Sequence, residues 1–218
     1  MSRDQRTLCP NGPDSCPNYS ELEALHAEIA ELKLAVRTDP LTKLFNRRHL
    51  NYCLDQELER TTRTGQATTL LMLDIDFFKN INDQYGHDVG DKALVHIAQL
   101  IRQCTRKLDV ACRYGGEEFA IVLPASNLGV GVRVAERLRQ HIEQQQLSID
   151  SVAQLDITAS IGVASADRQQ SLNPEQLIKK ADEQLYKAKG AGRNQISCPD
   201  ESGPTSEVSA AEKAALFD

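Results

Sequence analysis

The chain has 218 residues, of which 40% are hydrophobic, enough for one domain with a substantial core and some tens of residues of appendages. Its formal net charge of −6 argues against nonspecific binding to nucleic acid or to a membrane surface, because both need a clustered basic face. No stretch approaches the roughly 18 apolar residues of a membrane span, and the N terminus lacks the apolar core of a signal peptide, so we expect a cytoplasmic protein.

The N-terminal segment, residues 1–19, is rich in Pro, Asn, Ser and Asp, which favours turns or disorder over packing. Cys9 and Cys16 are each followed by proline, and two thiols are too few for a structural zinc site unless a second chain supplies two more. The six cysteines of the chain are scattered, so we expect reduced thiols rather than a disulfide framework.

Apolar residues then recur at alternating spacings of three and four, with charged residues between them: Leu22, Leu25, Ile29, Leu32 and Val36. This narrow stripe predicts a coiled-coil stalk helix over residues 20–38, paired with a second chain. About two heptads are too short for independent stability, so the helix needs its partner or the following domain. An amphipathic helix lying on its own domain is the alternative.

Helices and strands alternate after Pro40, where the stalk helix ends because a residue before proline disfavours the helical region. The order of the predicted elements indicates an α+β fold, an antiparallel sheet with helices packed on it. The tail, residues 198–218, is expected to be disordered. In chain order the sequence predicts a helix from Asn46 to about Thr62, a buried strand over 68–76, a short helix over 77–85, a helix from there to about Arg106, a hairpin over 111–123, a helix over 127–144, a strand over 156–163 and a helix beginning at Asn173 and Pro174.

Two acids stand at the end of the first buried strand. Strand alternation puts Asp74 and Asp76 on one face and Ile75 on the other. Because a buried carboxylate needs a compensating positive charge, at least one of the two is expected to hold a cation. The free amides at the start of the next helix, together with Lys79, form a predicted phosphate cradle beside it.

The hairpin ACRYGGEEFAIVL carries two further acids near its tip. Gly115 and Gly116 are predicted to form a two-residue turn, because glycine takes positive φ without a Cβ clash. Glu117 and Glu118 then follow on the outgoing strand and should point to opposite faces. At most one of them is therefore expected to be a direct ligand of any single ion.

Five motifs occur in a fixed order: DPLTKLFNRR, LDIDFFKNINDQYGHDVGD, RYGGEEF, ITASIGVA and ADEQLYKAKGAGRN. Together they resemble the successive motifs of the GGDEF-type diguanylate cyclase domain over about residues 39–197, with Glu in the hairpin where the family name has Asp, a variant that the family also uses. The resemblance implies a fold related to adenylate cyclase and polymerase palm domains, with an antiparallel-rich sheet flanked by helices. It also implies the joining of two GTP molecules into cyclic di-GMP with loss of two pyrophosphates.

The resemblance also implies roles for individual residues. Mg²⁺, with Mn²⁺ able to substitute, would be bound by Asp74, the backbone carbonyl of Ile75 and Glu117, with Glu118 as a further candidate. Glu117 would promote deprotonation of the 3′ hydroxyl, and Lys79 would stabilise charge on the phosphates. The implied substrate-binding residues are the backbone amides of Phe77 and Phe78 and the side chains of Asn82, His87, Asp91, Lys189 and Arg193.

Asp91 bears on the choice of nucleotide. A carboxylate can accept from both N–H donors on the guanine edge, which adenine does not offer in the same geometry. GTP is therefore the expected substrate.

A second ligand site is implied by Arg106 and Asp109, which match the RxxD pattern with which many members of the family bind their product and are inhibited. Arg137 or Arg139 would complete that site across a dimer. One site holds one GTP while the product joins two, so the resemblance also implies a homodimer. A catalytically silent cyclic di-GMP receptor is the rival interpretation, and a protein regulator docked on the stalk is compatible with either.

Overall fold

The computed structural model describes residues 19, 21–25, 27, 29, 37–149, 153–170 and 172–199. Among these residues, eight strands and five helices follow residue 38. The strands are β1 (Phe45–Asn46), β2 (Thr68–Ile75), β3 (Val110–Gly115), β4 (Glu118–Leu123), β5 (Leu147–Ile149), β6 (Ala153–Leu155), β7 (Ala159–Ala166) and β8 (Ile196–Ser197). The helices are α1 (Arg47–Thr64), α2 (Phe78–Tyr85), α3 (His87–Cys104), α4 (Leu128–Gln144) and α5 (Pro174–Gly190).

Six strands form one sheet in the order β1-β3-β4-β2-β7-β8. The four inner strands are antiparallel to one another, and each edge strand runs parallel to the inner strand beside it. Strands β5 and β6 form a separate antiparallel hairpin. The mostly antiparallel α+β sheet expected from the sequence is thus confirmed, whereas β1, β8 and the β5-β6 hairpin were not predicted because two or three residues are too short to show periodicity.

Strand β2 lies between β4 and β7 in the sheet, and all eight of its residues are buried. Its alternating side chains enter two separate cores. Leu71 and Leu73 pack with α3 and α4 on one face, while Leu70 and Met72 pack with α1 and α5 on the other. The sheet therefore lies between two helical layers, and Asp74 shares the face of Leu70 and Met72.

The predicted helix boundaries rest on caps that the structure contains. Asn46 caps α1 by accepting from the His49 backbone N–H, and Gly65 ends that helix with φ of 77°. Asn173 and Gln176 form a reciprocal capping box at the start of α5. These helices, and α4, are confirmed close to their predicted positions.

Helix α3 ends at Cys104, close to its predicted end near Arg106, because Thr105 takes an extended backbone. The predicted bounds of one strand were wrong. Strand β7 begins at Ala159, three residues later than predicted, and continues to Ala166, because its alternating small residues pair with the whole length of β2.

The tip of the hairpin also differs from the prediction. Its two turn residues are Gly116 and Glu117, and Gly115 pairs with Glu118. A register shift at Tyr114 adds one residue to β3 and moves the turn along the chain, so only Gly116 needs positive φ, at 48°. Glu117 consequently lies in the turn and Glu118 is the first residue of β4.

Residues 19, 21–25, 27, 29 and 37, which lie ahead of the domain, are helical. Leu25 and Ile29 of the predicted seam are 47% and 45% exposed in the single chain. Leu32, Val36, Cys9, Cys16 and the tail from residue 200 lie outside the described residues. No helix in the described part of the chain is long and apolar enough to cross a membrane.

Candidate active site

Asp74 is a buried acid at the end of β2, and Lys189 compensates its charge. The lysine Nζ lies 2.8 Å from Asp74 Oδ2, and the Asp74 side chain is only 9% exposed. Burial raises the pKa of Asp74, the charges of Glu117 and Glu118 raise it further, and Lys189 opposes both effects. Three acids thus converge on this strand end with one ammonium group among them.

Glu118 lies opposite Asp74 in the β2-β4 register. Its pKa is raised by burial and by the neighbouring charge of Asp182, while Lys189 and Arg47 favour its ionised form. The charges that act on Glu118 therefore come largely from α1 and α5. Neither Asp182 nor Arg47 was predicted from the sequence to belong to the site, because both are distant from Glu118 in the chain and only the fold brings their charges near it.

Asp76, the second of the two acids at the end of β2, accepts hydrogen bonds from neutral donors and not from a cation. Its carboxylate accepts hydrogen bonds from Thr158 Oγ1 at 2.8 Å, Ser160 Oγ at 2.7 Å and the backbone N–H of Asn194 at 2.9 Å. Of the two acids, Asp74 pairs with the Lys189 ammonium, and the expectation that at least one of them holds a cation stays a prediction. A carboxylate with three donors is already satisfied as a buried group.

The start of α2 and the loop after α5 meet beside these acids. Phe77 takes a left-handed backbone with φ of 55° and leads into α2, whose first turn carries the exposed Lys79. The Arg193 guanidinium lies 4.6 Å from the centre of the Phe77 ring. Cations and backbone amides therefore gather at the predicted phosphate cradle.

Asn82, His87 and Asp91 lie on α2 and the start of α3. Asn82 packs directly over Gly90, where an added Cβ would overlap its carboxamide oxygen. His87 is exposed as the first residue of α3, and Asp91 lines a cleft of about 410 Å³ together with Leu41. Gly90 and Leu41 were missed from the sequence, although Leu41 stands inside the DPLT motif.

Residues 36–195 match the sequence model of the diguanylate cyclase GGDEF domain. The chain belongs to the GGDEF family. Among its relatives, the response regulator PleD of Caulobacter vibrioides is 44% identical over 166 residues, which cover 76% of this chain and 36% of PleD. Diguanylate cyclase A of Treponema denticola is 36% identical over 183 residues, covering 83% of this chain and 49% of that protein. The chain thus spans less than half the length of these curated relatives.

Solved GGDEF structures have the same fold. The coiled coil and GGDEF domain of DgcB from Caulobacter crescentus, in complex with c-di-GMP, has a TM-score of 0.77 and 30% identity, covering 83% of this chain and 94% of DgcB's. The diguanylate cyclase SiaD of Pseudomonas aeruginosa, in complex with its activator SiaC, has a TM-score of 0.74 and 37% identity, covering 83% of this chain and 68% of SiaD's. The adopted fold is therefore that of a GGDEF domain.

The RxxD residues of this GGDEF domain form a short loop after α3. The Arg106 backbone N–H donates to Asp109 Oδ2 at 2.7 Å, and the Arg106 side chain is exposed. Arg137 donates to the carbonyl of Cys104 at 2.7 Å, directly before this loop. Arg139 lies elsewhere, since its guanidinium is bound by Glu136, Glu143 and Asn194.

The acids of this GGDEF domain fit a hard divalent cation. In the described residues no three His, Cys, Asp or Glu side chains form a metal-binding group by themselves. A bound ion would therefore need oxygen ligands beyond Asp74 and Glu117, such as the Ile75 carbonyl and phosphate oxygens. Asp74 favours such an ion because its carboxylate is buried and its pKa is raised even with the Lys189 ammonium beside it.

Proposed function

We propose that the chain is a diguanylate cyclase that condenses two GTP molecules into cyclic di-GMP and two pyrophosphates as a homodimer. The observation that carries this proposal is the Asp74–Lys189 pair, 2.8 Å apart, at a strand end that adjoins the Gly116–Glu117 turn. Membership of the GGDEF family supports it. A reaction that consumes GTP also supports the expectation of a cytoplasmic location.

We assign Asp74, the Ile75 carbonyl and Glu117 to the binding of Mg²⁺, with Mn²⁺ able to substitute. The bound ion would polarise the α-phosphate and lower the pKa of the attacking 3′ hydroxyl. Glu117 would accept the hydroxyl proton as the 3′ oxygen bonds to the α-phosphorus and pyrophosphate leaves. Glu118, whose charged neighbours include Asp182 and Arg47, is the further candidate for a second ion.

The cations would stabilise the negative charge of the leaving pyrophosphate. Lys189 would turn from Asp74 to the phosphate oxygens once another cation takes its place, and its side chain, 33% exposed, has room to do so. Lys79, Arg193 and the amides of Phe77 and Phe78 would complete the cradle.

Guanine would be bound in the cleft beside α3. Asp91 and Asn82 would read the hydrogen-bonding edge of the base, His87 would contact the nucleoside, and Leu41 would offer an apolar wall. A carboxylate at Asp91 favours GTP over ATP for the reason given above.

Dimerisation is required because each chain offers one GTP site. The exposed Leu25 and Ile29 support a seam between two stalk helices, and the similar DgcB structure contains a coiled coil. Deleting residues 1–38 should lower cyclase activity while GTP binding stays intact. Full activity of the truncated protein at low concentration would contradict the seam.

Product inhibition is proposed at Arg106 and Asp109, with Arg137 as the third contact. Arg137 donates to the carbonyl of Cys104, two residues before Arg106 in the chain, whereas Arg139 is engaged with Glu136. The structure of DgcB with bound c-di-GMP supports product binding within the family.

A protein regulator of the stalk is a further proposal. SiaD, which is similar to this chain, has been crystallised with an activator protein. Affinity purification with and without residues 1–38 tests the idea, and equal recovery of partners from both forms would contradict it.

The deciding experiment is incubation of the purified protein with GTP and Mg²⁺, beside a Glu117→Gln control, with separation of nucleotides by chromatography. Cyclic di-GMP from the wild type alone is the expected result. No product, but binding of added cyclic di-GMP that Arg106→Ala abolishes, would favour the silent receptor instead.

A further inference from the structure

The buried carboxylate of Asp76 joins three separate segments of the chain. It is 5% exposed and lies at the turn between β2 and α2. Thr158 donates to it from just before β7, Ser160 donates from within β7, and the Asn194 backbone N–H donates from the loop after α5. Asp76 returns one bond through its own N–H to the Thr158 carbonyl at 2.9 Å.

Asn194 extends this set of contacts to α4. Its side-chain oxygen accepts from Arg139 Nη1 at 3.0 Å, and its side-chain nitrogen donates to Glu143 at 2.7 Å. Arg139 is fixed in turn by Glu136 and Glu143. Because the Asn194 backbone is left-handed, with φ of 44°, it needs such contacts to offset its strain.

Two residues that adjoin this network in the chain belong to the predicted phosphate cradle. Phe77 directly follows Asp76, and Arg193 directly precedes Asn194. Each of them also takes positive φ, 55° and 66°, and their side chains meet at 4.6 Å. The two sides of the cradle are therefore joined through a carboxylate that is buried and already accepts three hydrogen bonds.

We infer that Asp76, with Asn194 and Arg139 behind it, is a positioning residue that sets the Arg193 guanidinium for the phosphate chain of the nucleotide. This inference rests on the proposed use of GTP. An arginine held in place before the substrate binds loses less freedom on binding and stabilises phosphate charge without rearrangement. Asp76 acts through Arg193 and contacts no substrate.

The test compares how strongly the protein prefers a triphosphate to a monophosphate. Dissociation constants are measured with Mg²⁺ for 3′-deoxy-GTP, which lacks the attacking hydroxyl, and for 3′-deoxy-GMP. Asp76→Asn places an amide where three donors converge, and an amide cannot accept from all of them. We expect the preference for 3′-deoxy-GTP to fall about tenfold, the factor that one charge-assisted hydrogen bond can supply, with 3′-deoxy-GMP binding unchanged.

Asp167→Asn is the matched control, because Asp167 also accepts from two backbone N–H groups, those of Gln169 and Gln170, but is exposed and has no contact with the network. It should bind both nucleotides as the wild type does. Arg193→Ala should lower the preference as Asp76→Asn does, and the double variant should be no worse than Arg193→Ala alone.

Arg139→Met keeps the stem of the side chain while removing its bonds to Asn194, and should lower the preference to a smaller extent. It also tests the network where Asp76→Asn does not fold. Equal weakening of both nucleotides, additivity with Arg193→Ala, or an unchanged preference in both Asp76→Asn and Arg139→Met would overturn the inference. Cyclase activity is assayed on the same samples: an active wild type with unaffected variants contradicts only this inference, whereas a wild type that binds no 3′-deoxy-GTP contradicts the proposed function as well.

Discussion

Two arginine-bearing loops of the domain are built in opposite ways. The Arg193 loop, residues 191–195, is bonded to the rest of the fold along its length: Arg193 N–H to the Ala188 carbonyl, Asn194 N–H to Asp76, and the Gln195 carbonyl to Ile161 N–H. The Arg106 loop, residues 105–109, is closed by bonds between Arg106 and Asp109, and Leu108 within it is 79% exposed.

Of the two arginines, Arg193 is the one whose loop is held in place before a ligand binds. A guanidinium on a loop held from several sides binds phosphate with little loss of freedom, which suits a site that must stabilise a transition state. A loop whose arginine and aspartate bond to each other instead of to the rest of the fold can adjust to a ligand, which suits an inhibitory site. The following predictions test this contrast.

The largest effect is expected from Asp74→Asn, which removes the acid beside the Arg193 loop. Cyclic di-GMP formation should fall at least about a hundredfold, because the proposed Mg²⁺ ligand is lost. The variant should nevertheless be as stable as the metal-free wild type or more stable.

The stability part follows from the raised pKa of Asp74, whose usual value is 3.8. A raised pKa in the folded protein means that the stability contribution of this group is present below pH 3.8 and is lost as the pH rises through the folded-state pKa. At neutral pH the ionised carboxylate therefore disfavours folding, and removal of its charge relieves this. Calorimetry without metal measures the melting temperature, and a large decrease in Asp74→Asn would contradict the assigned cause.

A second prediction concerns Gly162, on which α5 rests. An added Cβ there would collide with the Ala181 carbonyl and the Leu185 backbone, so Gly162→Ala should push α5 away from the sheet together with Lys189 and the Arg193 loop. We expect a loss of about 1–3 kcal/mol in the free energy of unfolding, or roughly 2–4 °C in melting temperature per kcal/mol, and reduced cyclase activity.

Gly129→Ala is the matched control for that substitution. A Cβ at Gly129 would meet only the ends of Arg133 and Asn127, each at 3.8 Å, which is ordinary contact. The control should be neutral or slightly stabilising, because alanine is the better helix former. Equal melting temperatures for the two variants would show that α5 does not depend on Gly162.

The smallest effect on initial rate is expected in the exposed loop. Arg106→Ala should relieve inhibition by added cyclic di-GMP while leaving the initial rate unchanged, because this loop makes no contact with the Arg193 loop. Lys107→Ala removes a neighbouring exposed cation and should keep the inhibition. Inhibition that persists in Arg106→Ala would contradict the proposed inhibitory role of the Arg106 loop.

The sequence predicted those parts of the molecule whose causes are local. The unbroken apolar run of β2 and the capping residues Asn46 and Asn173 act within a few positions, so their elements lie close to where they were expected. The register shift at Tyr114 was missed, because nothing in the alternation of β3 marks an unpaired residue.

Hydrogen bonds between side chains and distant parts of the chain also could not be predicted from the sequence. Asp76 bonds to Thr158, Ser160 and Asn194, which are 82, 84 and 118 residues away in the chain. From alternation alone Asp76 looked equivalent to Asp74. Only the fold distinguishes the acid that faces an ammonium group from the one enclosed by hydroxyl and amide donors.

The absence of a side chain at Gly90 bears on how the base preference of the domain could change. This glycine lies inside α3 and has no unusual backbone angle; what it provides is space for the Asn82 carboxamide. One methyl group at position 90 would displace that carboxamide while every proposed base-contacting residue kept its identity. We therefore expect that nucleotide selectivity can be altered by a substitution at a residue that is not itself one of the proposed base contacts.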